Sequence, residues 1–541
     1  TNGTLASNGY IEFYAKGNDG WLDSLLFEPY SDITNPYYSL YTDTAYYYLT
    51  SNYLLSGNKR VTVETDTDFS NPSYQTITNC IVDVLEQNPQ YYYGAENGPL
   101  YLKGEGWFDV SFGIGQTVTK TLSTPGFVSG IEPTKVNLSF ATKSHYGHHL
   151  NVKMNNQTIY DTIFWGLTSK KTTYTTTGNL TSTTIFDLSS IDDINATTDN
   201  IELAYIYLTY PRNFIFNGIY KQNFRIKDSN GSKTLLQIEQ FLNNNVVLWD
   251  LTNHRRIPMV YQNSKLNAIV PNSGNEKECY IISEDSVKYI PKLEKKNFVN
   301  YLPTVINTTD YVIITNNLLW TGATAYKDYR NLNNKYSANC YDVEQLYDQF
   351  SYGIKKHPLA IKNFLKYIST PSNSNDSLIK YVFLIGKGIH SGTWSYWESF
   401  RKNTANFEAC LVPSYGNPSS DNMLTTKILT NNNTNEIPIG RIAATNNNEV
   451  NIYLDKVIQH ENASAAEWMK RVIHFGGGNT TELQNTLAGY LNNYAAIISD
   501  TLFGGNVNTF LKTTSLPIQI TVADTVRNLI NDGTSLITFF G

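Results

Sequence analysis

A thiolate is the strongest nucleophile a protein offers near neutral pH, so the four cysteines are the first place to look for chemistry. They stand far apart, at Cys80, Cys279, Cys340 and Cys410. No Cys-x-x-Cys pair and no His/Cys ligand spacing occurs, which argues against a zinc site. So few cysteines in 541 residues also argue against a disulfide framework. Cys340 lies in the run Ser337–Val343 and Cys410 in Glu408–Pro413. Among apolar neighbours a thiol acts as a small hydrophobe and lacks the electropositive, open setting that a thiolate needs.

Three other groups merit a chemical reading. His145, His148 and His149 form the densest histidine cluster, in Ser144–Leu150. Imidazoles suit transition metals, but no carboxylate or cysteine accompanies them, and a turn between strands is expected. Gly386-Lys387-Gly388 follows an apolar run but lacks the spacing of a phosphate loop, so a strand-end turn is expected there. His390, two residues on, is a candidate for lining a cleft at that strand end. Ser420-Asp421-Asn422 occupies a loop, where Asp421 is open to two readings, a calcium ligand or an Asx turn.

The elements that must position these residues change character along the chain. Up to about residue 300, short alternating runs recur between Gly/Asn/Asp/Ser clusters: Ile11–Tyr14, Arg60–Glu64, Val136–Phe140, Leu150–Met154 and Ile201–Leu208. That rhythm predicts an all-β region of sandwich or jelly-roll type. The Thr-rich stretch Thr172–Thr184 suits an exposed hairpin or a loop. From Asp310 onward, buried-strand runs alternate with helical patterns. The runs are Asp310–Thr315, Ser337–Val343, Lys380–Ile385, Ile437–Ile442, Arg471–Phe475 and Ser535–Phe540. The helices are expected around Leu359–Ile368, Glu449–Glu461, Thr481–Tyr494 and Ala523–Asn531. Such alternation predicts an α/β domain with a mainly parallel sheet, whose ligands bind at the C-terminal strand ends. The expected division is 1–90 and 91–230 as β regions, 231–304 as a small β connector, and 305–541 as the α/β domain.

Composition narrows the function further. A net charge of −6 leaves no basic footprint for nucleic acid. No run of 18 or more apolar residues is present, so no transmembrane helix is expected. The 40 tyrosines and the abundant Thr and Asn fit a β-rich protein. The chain starts at Thr1 without a methionine and stops at Gly541, and is expected to be part of a longer protein.

Several segments, in order, resemble the gingipain family of cysteine peptidases of the Bacteroidetes, a caspase-like clan that includes PorU-type sortases of the type IX secretion system. They are Ile11–Asp23, Asn35–Thr50, Lys103–Phe108 (KGEGWF), Leu208–Phe214, Asp310–Thr315, Tyr341–Ile368, Ile437–Glu461 and Gly533–Gly541. The resemblance implies a caspase-like α/β domain with a His–Cys dyad at adjacent strand ends. The thiolate attacks the scissile carbonyl, and the histidine acts as base and then as acid. By that pattern the histidine should follow Gly541 directly and the cysteine should lie further downstream, so residues 1–541 should be inactive alone. Family members also carry an acid just after the strand matching Arg471–Phe475; here Gly476-Gly477-Gly478-Asn479 follows instead. Glu482 is the next acid, open to two readings: a substitute that lines the specificity pocket, or a first-turn helix acid. Asp421 stands where family members also carry an Asp. Glu482, Asp421 and His390 are therefore the candidate substrate-binding residues.

The resemblance implies a protein or peptide substrate, an extracellular or cell-surface location with outer-membrane association, and PorV with other type IX components as partners. No cofactor is implied beyond calcium. A catalytically lost surface scaffold or adhesin is the alternative from another functional class.

Overall fold

In the computed structural model, residues 9–50, 61–94, 98–301, 309–369, 379–389, 399–512 and 520–541 are described. The chain divides into two compact units, Thr1–Asn451 and Ile452–Gly541. As the sequence pattern predicts, a strand-rich region precedes α/β structure with parallel strands.

Within the first unit, a ten-stranded sheet packs against two four-stranded sheets. Alternation decides which faces meet. In Gly147–Met154, the residues Leu150, Val152 and Met154 point inward, and His149, Asn151 and Lys153 point out. The inward set shares one apolar core with Val136, Leu138 and Phe140 of the large sheet and with Phe186 and Leu188 of a neighbouring strand. Strands of the 231–304 stretch enter both layers: Val246–Asp250 and Lys277–Ser283 extend the large sheet, while Lys233–Ile238 and Lys265–Pro271 pair in a small one.

Two local expectations come out differently. Ile11–Tyr14 is irregular, because its apolar residues find no ladder partner among the described strands. The Thr-rich stretch is no hairpin: Ser169–Thr176 pairs with Thr134–Thr142 in the large sheet, and Thr183–Ser190 belongs to the facing sheet. The chain crosses between layers there.

The α/β part of the first unit has four parallel strands, β1 (Tyr311–Thr315), β2 (Ala338–Asp342), β3 (Tyr381–Ile385) and β4 (Ile439–Ile442), in spatial order β2-β1-β3-β4. The helices α1 (Trp320–Arg330), α2 (Val343–Phe350), α3 (Leu359–Ser369) and α4 (Thr404–Ala409) lie between them in sequence, and α5 (Asn447–Glu461) follows β4. Asp342 caps α2 by accepting the Glu344 N–H. Pro358 stands just before α3, where its missing N–H removes no helical bond. The apolar stripe of α3 (Leu359, Ile361, Phe364, Leu365, Ile368) is buried throughout. Its core also takes in Leu22, Phe27 and Tyr41 from the N-terminal segment, and Tyr92 and Trp107 from a two-stranded ribbon.

The second unit has three parallel strands, β5 (Arg471–Gly476), β6 (Asn506–Leu511) and β7 (Leu536–Phe540), in order β6-β5-β7, with helices α6 (Thr481–Ile498) and α7 (Ile520–Asn531). Among the described residues no helix is long and apolar enough to cross a membrane.

Candidate active site

The strand ends singled out by the sequence are built to bring backbone segments close together. In the first unit, β3 runs into Gly386, which donates its N–H to Ile442 O at 2.9 Å. A Cβ there would come within 2.9 Å of Val412 Cγ2 and 3.2 Å of Leu411 Cβ, so only glycine lets the 411–414 segment lie against the strand end. Lys387 O accepts the Leu411 and Val412 N–H groups. The Gly386-Lys387-Gly388 turn is therefore a strand-end junction.

Arg441 on β4 locks this junction. Its Nε and Nη2 hold Asp421 in a two-pronged pair at 2.7 and 2.8 Å. Nη1 donates to Gly386 O at 2.7 Å and Val412 O at 2.8 Å, and Nη2 also donates to Pro413 O at 3.0 Å. All five guanidinium N–H groups are thus used. Asp421 Oδ1 also accepts the Ser414 hydroxyl at 3.0 Å. Both carboxylate oxygens of Asp421 are occupied by protein partners, and the residue opens the short turn Asp421–Thr425. Sequence reading missed Arg441 as its partner, although the Gly-Arg-Ile strand was already conspicuous. His390 lies outside the described residues.

In the second unit, β5 ends at Gly476, whose carbonyl accepts the Lys512 N–H at 2.7 Å, and the next residue, Gly477, donates to Phe540 O at 2.5 Å. A Cβ on Gly477 would sit 3.1 Å from Gly541 Cα. Gly478 has φ +115° and passes 3.0 Å from Gln484 N by the same measure. Three glycines in a row let the turn pass between the end of β7 and the start of α6. Thr480 caps α6 by accepting the Leu483 N–H at 3.2 Å. Glu482 is exposed in the first turn, where a carboxylate favours the helix dipole, and no described residue bonds its carboxylate.

None of the four thiols has the setting of a nucleophile. Burial pushes Cys80 and Cys340 up to about 12 and raises Cys279 and Cys410. Cys340 donates to Ala323 O at 3.4 Å, in the core manner expected of it. The histidine cluster is resolved differently from its expectation. His148 and His149 lie within a strand, and carboxylates distant in sequence reach them. His148 pairs with Asp199, and His149 stands 2.8 Å from Asp193 and 2.7 Å from Asp161. Among the described residues no cluster of three or more His, Cys, Asp or Glu side chains is arranged to hold a metal ion.

Two buried polar groups gave no sequence signal. His357 Nε2 lies 3.0 Å from Asp23 Oδ1, its Nδ1 accepts the Leu359 N–H at 3.2 Å, and Asp23 Oδ2 accepts the Leu40 N–H at 2.6 Å. An aspartate orients an imidazole here as it would a general base, yet both ring nitrogens are already taken, so the pair serves structure. Glu105 is fully enclosed, taking the Tyr92 hydroxyl and, at 3.1 Å, the Leu102 N–H. Burial pushes its carboxyl up to about 8.

The model of peptidase family C25 matches residues 305–541. Among solved structures, dimeric latent PorU from Porphyromonas gingivalis is similar at TM-score 0.51 and 14% identity, over 80% of this chain and 44% of that chain. The chain thus spans less than half the length of that relative, and the likeness is one of fold. The CBM36-1 domain of a multidomain xylanase from the hindgut metagenome of Trinervitermes trinervoides matches 24% of this chain and 95% of its own at 17% identity, but its TM-score is only 0.16. No curated protein sequence matches.

Proposed function

Because residues 305–541 match the model of peptidase family C25, we propose that this chain is the scaffold-bearing part of a gingipain-like cysteine endopeptidase that acts on protein substrates at the cell surface. The observation that carries this reading is that match, over an α/β region whose parallel strands end in glycine junctions at Gly386 and Gly476. In this reading the strand ends of the first unit present a peptide-binding face, with Arg441 and Asp421 fixing the Gly386 junction; in the second unit Glu482 stands by itself in the helix turn that follows the Gly476–Gly478 glycines. Export through the type IX system, and inactivity of residues 1–541 by themselves, belong to the same proposal. The dyad needs an exposed thiolate, and none of the four thiols in these residues meets that need: Cys80, Cys279 and Cys410 are buried, and Cys340, partly buried, is held protonated by desolvation.

A second reading, a PorU-type sortase acting with PorV, draws support from the similarity to PorU, because that similarity reaches 80% of the chain and so extends into the β region. The test is a cysteine-directed acyloxymethyl ketone probe applied to the protein isolated from its native source, with the labelled peptide identified by mass spectrometry. Labelling of one cysteine outside positions 80, 279, 340 and 410 supports a peptidase. No labelling of any cysteine, in a preparation shown to be folded, refutes it. Release of a cargo C-terminal segment then separates sortase from general endopeptidase.

A further inference from the structure

The outward face of one four-stranded sheet carries an aromatic plate beside a row of fixed polar groups. On the adjacent strands Gly147–Met154 and Gln157–Trp165, three cross-strand pairs face solvent in succession: Trp165 with Gly147, Ile163 with His149, and Asp161 with Asn151. Trp165 is 69% exposed. A Cβ on Gly147 would lie 3.0 Å from two indole carbons and 2.9 Å from Ile194, so the missing side chain leaves the place where the ring lies on the sheet. An exposed indole offers an apolar ring face to a ligand and keeps one N–H for a polar contact.

The polar half of the face is immobilised. His149 is held from both sides by Asp193 and Asp161, at 2.8 and 2.7 Å. Along the next strands Ser189 bonds Thr117 at 2.7 Å and Asp187 accepts the Thr119 hydroxyl at 2.6 Å. Asp161 also takes a hydrogen bond from the Asn151 side chain, and a carboxylate, with about four lone-pair sites on its two oxygens, still has acceptor capacity beyond such bonds. Most of the charge on this face is paired: His149 sits between the carboxylates of Asp161 and Asp193, and Lys153 lies opposite Asp187 in the ladder, so that at most two cations face three carboxylates. A cationic partner therefore finds little net attraction. A neutral ligand with an apolar face and many hydroxyls fits both halves, since its C–H face covers the indole while carboxylate and amide groups take its hydroxyls.

We propose that this face binds a neutral glycan chain, with Trp165 as the stacking plate and Asp161, Asp193 and Asn151 as the hydroxyl-binding row. Trp165 and Asp161 are four residues apart on one strand, about 13 Å, a span that calls for an oligosaccharide. The site is built from strands of the β region and from none of the α/β strands, and it does not depend on peptidase activity.

The test is native affinity electrophoresis of the whole chain in gels containing xylan, mixed-linkage β-glucan, galactomannan or yeast mannan. At least one polysaccharide should retard the wild type. Trp165→Ala should abolish the retardation with an unchanged thermal midpoint, because the ring is exposed, and Asp161→Asn should weaken binding several-fold with at most a small fall in midpoint from the loss of its exposed pair with His149. Absence of retardation in all four gels overturns the proposal, as does a Trp165→Ala variant retarded like the wild type.

Discussion

Glu105 offers the sharpest test of the physical reasoning. Its carboxyl is fully enclosed among Tyr92, Tyr101 and the 102–105 turn, and burial raises its pKa from 4.5 to about 8. At neutral pH the folded protein therefore carries it protonated, whereas the unfolded chain releases that proton near 4.5. Folded protein then binds one proton more than unfolded protein between these values, so stability falls as pH rises from about 4.5 to about 8 and levels off above. At about 1.4 kcal/mol per pKa unit the loss sums to about 5 kcal/mol. Glu105→Gln removes the ionisation and keeps the shape. The amide nitrogen can donate to Tyr92 Oη, and the amide oxygen can still accept the Leu102 N–H. The assay is urea denaturation of both proteins from pH 5 to pH 9, followed by near-ultraviolet circular dichroism, where the buried tyrosines report. The two proteins should be equally stable near pH 5, and the variant should be the more stable by several kcal/mol at pH 8.5. Parallel pH profiles, or a variant weaker by the same amount at every pH, would refute the argument.

Three further outcomes are expected. Asp23→Ala strands a buried His357 and removes the acceptor of the Leu40 N–H, at about 3–5 kcal/mol; a calorimetric comparison with wild type measures it. Arg441→Lys keeps the charge but loses the forked geometry, so hydrogen exchange should quicken at residues 386–388 and 411–414 while the β-sandwich stays unchanged. His474, buried in β5, has its imidazole held below the usual 6.5 by burial. The unfolded chain then binds the extra proton, so the second unit should lose stability as pH falls below about 6.5; His474→Phe should flatten that acid limb in thermal melts from pH 7 to pH 5.

What the sequence made legible follows from where its signals are local. Val312–Ile314 and Val382–Ile385 are wholly apolar because both faces of a parallel strand are covered there, and such unbroken runs are found directly in the sequence. Leu359 to Ile368 recurs at helical spacing and is buried as that spacing demands. Asn506–Leu511 escaped notice because its alternation is weak and Asn-rich, and only pairing with Arg471–Gly476 makes it a strand. Site partners were harder still. Asp421 and Arg441 are 20 residues apart, and Asp23 and His357 are 334 apart. No window along a chain holds such pairs, and a single sequence carries no record of which distant charges meet.

The long-range pairs share a logic that bears on the proposed peptidase. The N-terminal segment joins the α/β region through polar contacts, a buried one from Asp23 to His357, a half-buried one from Tyr48 to Asp348, and exposed ion pairs from Glu28 to Lys427 and Asp43 to Arg401. The same segment joins the β region, where Ser139 donates to Thr34 O at 2.7 Å and Tyr37 stacks on Tyr207 with centroids 4.8 Å apart. Apolar burial alone would join these parts with little preference for register, because the hydrophobic effect is non-directional. Hydrogen-bonded charges are directional, and leaving one unpaired in the core is costly. The strap therefore fixes the β region and the α/β sheet as one body. His357 is pinned immediately before Pro358 and α3, and that helix packs in the same core as β1 and β3. Loosening the strap should then reach the Gly386 junction through α3 and β3, although Asp23, Glu28, Asp43 and Tyr48 pair with His357, Lys427, Arg401 and Asp348 and not with the junction. Hydrogen exchange at Gly386–Gly388 in the Asp23→Ala variant distinguishes this from a purely local effect: protection there falls if the strap orders the junction, and holds if Arg441 alone does.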